Sequence, residues 1–222
     1  MNEYEYEPIP GLPEELPDGE EILWQGKPDW RVLANQAFHI RELTAYFALF
    51  LSARGVVAFM EGEGLLMSVL SALAVAPLAA AGTGLIALFA WLHARTTIYT
   101  ITNRRVVFRY GVALQLCFNI PFKMVESAAL KVYESGHGEI PLALKESAML
   151  GYINLWPHVR PWRFAKAQPM LRAIPDAACV GALLVDAMVD ATEGQAAEVK
   201  TSTVTESSEP VVKGTPALVA VE

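Results

Sequence analysis

Two long apolar runs stand out against an otherwise mixed chain. Residues 43–60 are interrupted only by Arg54, and residues 65–92 run for 28 positions without a charge. About 20 helical residues, at ~1.5 Å rise each, cross a hydrocarbon core of ~30 Å. The second run lacks the polar stripe that a soluble helix keeps towards water. Only Glu61-Gly62-Glu63-Gly64 separates the runs. The pattern therefore predicts a tight antiparallel transmembrane hairpin over residues 39–94, the alternative being a buried hairpin of a soluble helical bundle. The surplus length of the second run calls for tilt, projection past the bilayer, or a kink near Pro77 or Gly82. Arg54 lies close enough to one end to reach outwards or to meet Glu61 or Glu63.

From Thr96 the rhythm changes to short β-branched and aromatic segments. Thr97-Ile98-Tyr99-Thr100-Ile101-Thr102 and Val106-Val107-Phe108-Arg109-Tyr110 read as paired strands around an Asn103-Arg104 turn. Further strands are expected near 113–119, 124–133, 138–145, 150–156 and 170–174, with a turn at Ser135-Gly136-His137-Gly138. Another, over residues 20–26, precedes the hairpin and is placed to join the same sheet. Pro175-Asp176 opens a packing helix over residues 177–191. The fold class is α+β: a membrane helical hairpin carrying an antiparallel sheet or small barrel with a C-terminal helix. The divisions are a flexible acidic stretch 1–18, a first strand and lead-in 19–38, the hairpin 39–94, a folded unit 95–191, and a disordered tail 192–222.

Composition sharpens this picture. Of 222 residues, 53% are apolar and 18% charged, too apolar for an ordinary soluble domain. The formal charge of −7 is concentrated in the ends, with eight acids and no base in residues 1–21, so the body is mildly basic. The start of the chain, with no basic stretch ahead of an apolar one, does not read as a signal peptide. Lys27, Arg31 and Arg41 precede the hairpin, Arg95, Arg104, Arg105 and Arg109 follow it, and the connecting turn holds only acids. The positive-inside rule then places both flanks and both termini in the cytoplasm, with two spans. Cys117 and Cys179 suit that reducing compartment and exclude a disulfide scaffold or a cysteine zinc site.

Specific stretches carry a resemblance. Gly11-Leu12-Pro13-Glu14-Glu15-Leu16-Pro17, Gly19 to Trp30 (GEEILWQGKPDW), Ala37-Phe38-His39-Ile40-Arg41 and Tyr46-Phe47 resemble the PuhB family of photosynthetic reaction-centre assembly proteins. Tyr99-Thr100-Ile101-Thr102-Asn103-Arg104-Arg105, Gly111, Asn119-Ile120-Pro121-Phe122 and Pro169 to Pro175 (PMLRAIP) are similar too. The block around Asn103 also resembles the wider bacterial pleckstrin-homology-like domains. The resemblance spans roughly residues 8–191. It implies a pleckstrin-homology-like β-barrel or sandwich at the cytoplasmic face of the bacterial inner, intracytoplasmic membrane. The implied role is assembly of the reaction centre and its core light-harvesting antenna, through binding of their subunits or assembly intermediates and through self-association. No catalytic residue is carried over. A lipid-binding or membrane-stress-sensing module is the alternative.

The candidate residues follow from these two readings. No phosphate-binding loop, dinucleotide motif or metalloprotease motif is present, and His39, His93, His137 and His158 are not at metal-ligand spacing. An enzyme, a bound metal and nucleic-acid recognition are therefore not expected. His39 and His93, at the cytoplasmic ends of the two spans, are candidate ligands for the magnesium of a transient bacteriochlorophyll. Arg95, Arg104, Arg105 and Arg109 are candidates for anionic lipid headgroups or an acidic partner. Trp156, Arg160, Trp162 and Arg163 form the densest aromatic and basic run, and suit partner binding, membrane-surface contact or internal packing. Ala79, Ala80, Ala81 and Gly82 make a small-residue face for the hairpin itself or for another membrane helix.

Overall fold

The computed structural model describes residues 9–12, 14–145 and 151–206. In chain order, β1 (Ile22–Gly26) and α1 (Trp30–Gln36) lead into α2 (Ile40–Met60), α3 (Gly64–Leu73) and α4 (Ala76–Thr96). Strands β2 (Ile98–Thr102), β3 (Arg105–Tyr110), β4 (Leu116–Pro121), β5 (Val125–Ala128), β6 (Lys131–Val132) and β7 (Gly138–Leu144) follow. A short helix α5 (Tyr152–Leu155), β8 (Met170–Ile174) and α6 (Ala177–Glu206) complete the fold.

Two helical stretches, Ile40–Met60 and Gly64–Thr96, are long and apolar enough to cross a membrane. Their side chains point away from the protein: Leu49, Met60, Leu65 and Leu78 are each more than two-thirds exposed. A soluble bundle would bury such residues. Gly55 lets the arms approach, because a Cβ there would sit 3.3 Å from the Cβ of Ala72. Ala79 is buried and Gly82 faces Phe47 of α2, so these small residues serve the packing of the hairpin itself.

Of the alternatives open for the surplus length, the structure shows a break between α3 and α4, just before Pro77, which has no N–H to continue the ladder. There Val75 N–H turns to the Ala72 carbonyl (3.4 Å), leaving the Ser71 carbonyl without its ordinary helical donor. Arg54 Nε fills that place at 3.0 Å. The arginine therefore satisfies a carbonyl freed by the kink, across the hairpin, where Glu61 or Glu63 was the expected partner. An unsatisfied carbonyl in an apolar setting costs several kcal/mol, on the order of 2–7, so kink and arginine suit each other.

The domain is built from two antiparallel sheets. One runs β1-β2-β3-β4; in the other, β7 is flanked by β5 and β6 along one edge and by β8 along the other. Alternate side chains from both sheets turn inwards: Tyr99 and Ile101, Val106, Phe108 and Tyr110, Ile140 and Leu142, Leu171 and Ile174. Helix α6 covers them with Ala177, Val180, Leu184 and Ala187, the three- and four-residue spacing of one helical face. Strand β1 lies before the hairpin in sequence yet pairs with β2 after it, as the return of the chain to the same side requires.

Three expectations need correction. The stretch 151–156 is not a strand: Leu155 is fully buried and Ile153 is 86% exposed, whereas a strand would put both on one face. A helical turn separates them and lets Leu155 pack with Val159 and Ala167. The first part of the disordered tail is helix, since α6 continues to Glu206. The apolar periodicity ends near 191 because the packed face ends there; Gln195-Ala196-Ala197-Glu198 are strong helix formers and carry the backbone on. The stretch 1–18 is not all flexible either. Leu12 is buried, Gln25 Nε2 donates to the Pro10 carbonyl at 2.8 Å, and Gly11 (φ +90°) lies so close to Ile98 that a Cβ would meet its Cγ2 at 2.7 Å. The expected flexibility of residues 1–8 and 207–222 lies outside the described residues.

Replacing Leu184 by Ala is expected to cost about 2–5 kcal/mol. Val185→Ala, next to it but half exposed, should change stability by no more than about 0.5 kcal/mol. Unfolding in detergent micelles measures both; equal losses would contradict the helix face assigned here.

Candidate functional site at the helix-domain junction

The last turn of α4 is tied to the domain by an ordered chain of hydrogen bonds. Thr97 Oγ1 donates to the His93 carbonyl at 2.7 Å, which leaves the oxygen free to accept from His158 Nε2 at 3.1 Å. The opposite ring atom, His158 Nδ1, lies 2.6 Å from the Tyr99 hydroxyl, and that hydroxyl accepts the Arg172 backbone N–H at 3.2 Å. The directions close in one way only: Arg172 N–H to Tyr99, Tyr99 O–H to His158 Nδ1, His158 Nε2–H to Thr97, and Thr97 to the helix end. Each group has one proton to give. His158 is fully buried and neutral in this arrangement, and burial, followed by the neighbouring His93 and Arg172, holds its pKa well below the ordinary histidine value. Burial also raises Tyr99 above the ordinary tyrosine range, so it keeps the proton it donates.

Arg172 is the second tie. Its Nε donates to Glu139 Oε1 at 3.1 Å, Nη1 to the Pro157 carbonyl at 3.0 Å, and Nη2 to the Gln36 carbonyl at 3.3 Å. Gln36 is the last residue of α1, so the guanidinium satisfies an orphan carbonyl at that helix end. Helix α1 starts with equal definition: Asp29 Oδ1 accepts from Arg31 N and Val32 N, and Asp29 N–H donates to the Ala173 carbonyl. Leu33 of α1, Ala94 of α4 and Ala173 of β8 then bury against one another. Helix α1 is thereby wedged between the hairpin and the sheet.

His93 faces this junction, enclosed by rings. Phe89 lies 4.7 Å away, Trp156 6.0 Å, Phe38 6.1 Å and His158 6.4 Å, centroid to centroid. His39 is not among them. Its side chain is 70% exposed and lies 3.8 Å from Glu42, because the positive φ of His39 turns Phe38, rather than the imidazole, towards His93. The expected pairing of the two histidines is thus replaced by Phe38 with His93, and of the two imidazoles His39 is the open one.

The basic candidates divide. Arg105 is turned inwards: its Nε pairs with buried Glu20 Oε1 at 2.8 Å, and Thr102 Oγ1 donates to the same oxygen at 2.8 Å. Beside them Asn103 closes the turn, donating from Nδ2 to the Gly19 carbonyl and accepting from Glu21 N–H. This Asn-Arg-Arg block joins β1 to the β2-β3 turn. Arg104 is exposed, Arg109 is partly buried, and Arg95 is exposed with its guanidinium 5.3 Å over the ring of Trp91. The aromatic run divides too. Trp156 packs against Phe38 and Phe89, and Arg160 Nη1 donates to Gln168 Oε1. Trp162 and Arg163 point outwards. Among the described residues no cluster of His, Cys, Asp or Glu is placed to hold a metal ion.

Residues 46–180 match the bacterial PH domain family, well over half the chain. The chain belongs to the bacterial PH domain family. It is also 44% identical, over 188 residues, to a Rhodobacter capsulatus protein known as the uncharacterized 23.7 kDa protein of the puhA 5' region. That alignment covers 84% of this chain and 87% of the relative. No solved structure matches. The family match starts inside α2, so in this bacterial PH domain protein most of the hairpin lies within the match rather than ahead of it.

Arg172, Glu139, His158, Tyr99 and Thr97 were not among the candidates drawn from the sequence. One signal existed: Met170-Leu171-Arg172-Ala173-Ile174 places a single charge in an apolar strand, and such a charge needs a buried partner. Nothing local marks Glu139 as that partner.

The neutral state of His158 makes stability depend on pH. Its folded pKa lies below the unfolded value of 6.5, so the unfolded chain binds the extra proton first. The contribution is complete above about pH 6.5 and is lost as the pH falls below it, by at most ~1.4 kcal/mol per unit for one group. Unfolding free energy measured between pH 7.5 and 5 should fall in the native chain and fall less steeply in His158→Gln. Equal slopes would contradict the neutral, fully ordered chain.

Proposed function

We propose that this protein is a non-enzymatic membrane assembly factor, which promotes formation of the photosynthetic reaction centre and its core light-harvesting antenna by binding their subunits or assembly intermediates. The observation that carries this reading is the kinship, over most of both chains, with the Rhodobacter capsulatus protein of the puhA 5' region. It agrees with the resemblance of the opening block to reaction-centre assembly proteins.

The architecture supports the reading physically. In this account α2 and the α3-α4 arm span the bacterial inner, intracytoplasmic membrane, with both termini in the cytoplasm, as the basic flanks dictate. The PH domain is then held at the inner leaflet by short, hydrogen-bonded connections. A factor of this kind acts by mass action: it favours a partner conformation to the extent that it binds that conformation better, and it needs no covalent step. In this reading the exposed Arg95 and Arg104 are the cations available to anionic lipids, while Arg105 serves the fold. A transient bacteriochlorophyll contact falls to His39, the open imidazole. Self-association as a homodimer belongs to the same proposal.

Deleting the gene should lower reaction-centre content while pigment synthesis continues, and the full chain supplied in trans should restore it. Affinity capture from membranes in mild detergent should recover reaction-centre or antenna subunits. Normal reaction-centre content in the deletion strain would overturn the proposal, and capture of lipid alone would favour a lipid-sensing module.

A further inference from the structure

The segment from α5 to β8 is a shaped ledge. Its base is closed by backbone bonds from Arg160 N–H to the Gln168 carbonyl and from Met170 N–H to the His158 carbonyl, both 2.9 Å. Leu155, Val159 and Ala167 form a small core beneath it. From this base the ledge turns apolar groups outwards: Ile153 is 86% exposed, Trp162 85% and Phe164 64%. These are not isolated. Tyr152 and Phe164 lie 4.6 Å apart and Phe164 and Trp162 6.3 Å, ring to ring. Residues 151–169 contain Arg160, Arg163 and Lys166 and no acid.

Where this ledge sits decides what it meets. Trp156, directly after α5, lies 6.4 Å from Phe89 and 5.4 Å from Phe38. Phe89 is seven residues before the end of α4, roughly 10 Å back along the helix at ~1.5 Å per residue. Trp156 therefore fastens the start of the ledge alongside the final two turns of the arm, where Trp91 and Arg95 are also stacked. In a spanning helix that depth is the lipid-water boundary, the level at which Trp, Phe and arginine side chains are favoured.

We propose that residues 152–166 form a second membrane contact, an interfacial wedge. Ile153, Trp162 and Phe164 seat at the boundary of headgroups and acyl chains, and Arg163 meets the phosphates of anionic lipids. The occupant is the lipid surface rather than a protein, because Trp156 ties the segment to the arm and the segment carries bases and no acid, the complement of an anionic leaflet. With the hairpin as one attachment and the wedge as another, the domain cannot swivel about its connection to α4. This rests on the membrane-spanning reading of the hairpin.

Quenching by brominated lipid tests it. The full chain is placed in nanodiscs of phosphatidylcholine and phosphatidylglycerol, with and without bromine on the acyl chains. Comparison with the Trp162→Phe and Trp91→Phe variants isolates the emission of each tryptophan. The expected result is that bromine lowers the Trp162 and Trp91 components alike, each by roughly twofold or more, as for a side chain at the acyl boundary. Quenching of Trp91 with Trp162 unchanged would overturn the wedge and leave the spanning hairpin intact, the ledge then facing water or protein. If neither is quenched, the wedge and the spanning reading fail together.

Discussion

A buried guanidinium holds this molecule together at the point where its two halves meet. Arg172 stands in the middle of β8 with its side chain removed from water, a position that costs several kcal/mol, on the order of 3–5, if its charge is left uncompensated. The cost is offset by partners on each of its three nitrogens. Glu139 supplies the opposing charge from β7 at Nε, while the carbonyls of Pro157 and Gln36 accept from Nη1 and Nη2. Those partners come from a strand, a loop and a helix that are far apart in sequence. Satisfying one side chain therefore specifies the relative placement of all three.

The consequence reaches the hairpin. Helix α1, whose end Arg172 caps, packs through Leu33 on Ala94 of α4. The backbone N–H of the same arginine starts the ordered hydrogen-bond chain through Tyr99 and His158 to Thr97. The arm and the sheet are thus joined by polar contacts that leave little freedom, in addition to the peptide link between α4 and β2. For a protein proposed to present a surface to partners in the same bilayer, this fixes which face of the domain looks along the membrane.

Much of this was legible from residue order. The hairpin, β1 to β3, β7, β8 and the face of α6 follow from periodicities that each element displays on its own. Local pattern failed where long-range packing decided. Residues 151–156 have strand-like composition, but only Leu155 finds a core, and a helical turn delivers it. Gly11 and Leu12 look like part of a polar, proline-rich stretch, yet Gly11 lies against Ile98 and Leu12 is buried, which no local rule reveals. Arg105 resembles a lipid-facing cation until Glu20, separated from it by the whole hairpin, is seen to pair with it. His93 was named with His39 as a candidate pigment ligand, and it is enclosed because Phe38 and Trp156 arrive from two other parts of the chain.

Hydrogen exchange on the full chain in nanodiscs, comparing Arg172→Met with the native protein, tests the role of this arginine directly. The amides of α1 and of residues 156–160 should exchange at least about tenfold faster, the change produced by losing ~1.4 kcal/mol of local stability, while β3 and β4 keep their protection. Unchanged protection in α1, or equal acceleration throughout the domain, would contradict the view that Arg172 fastens the hairpin to the sheet.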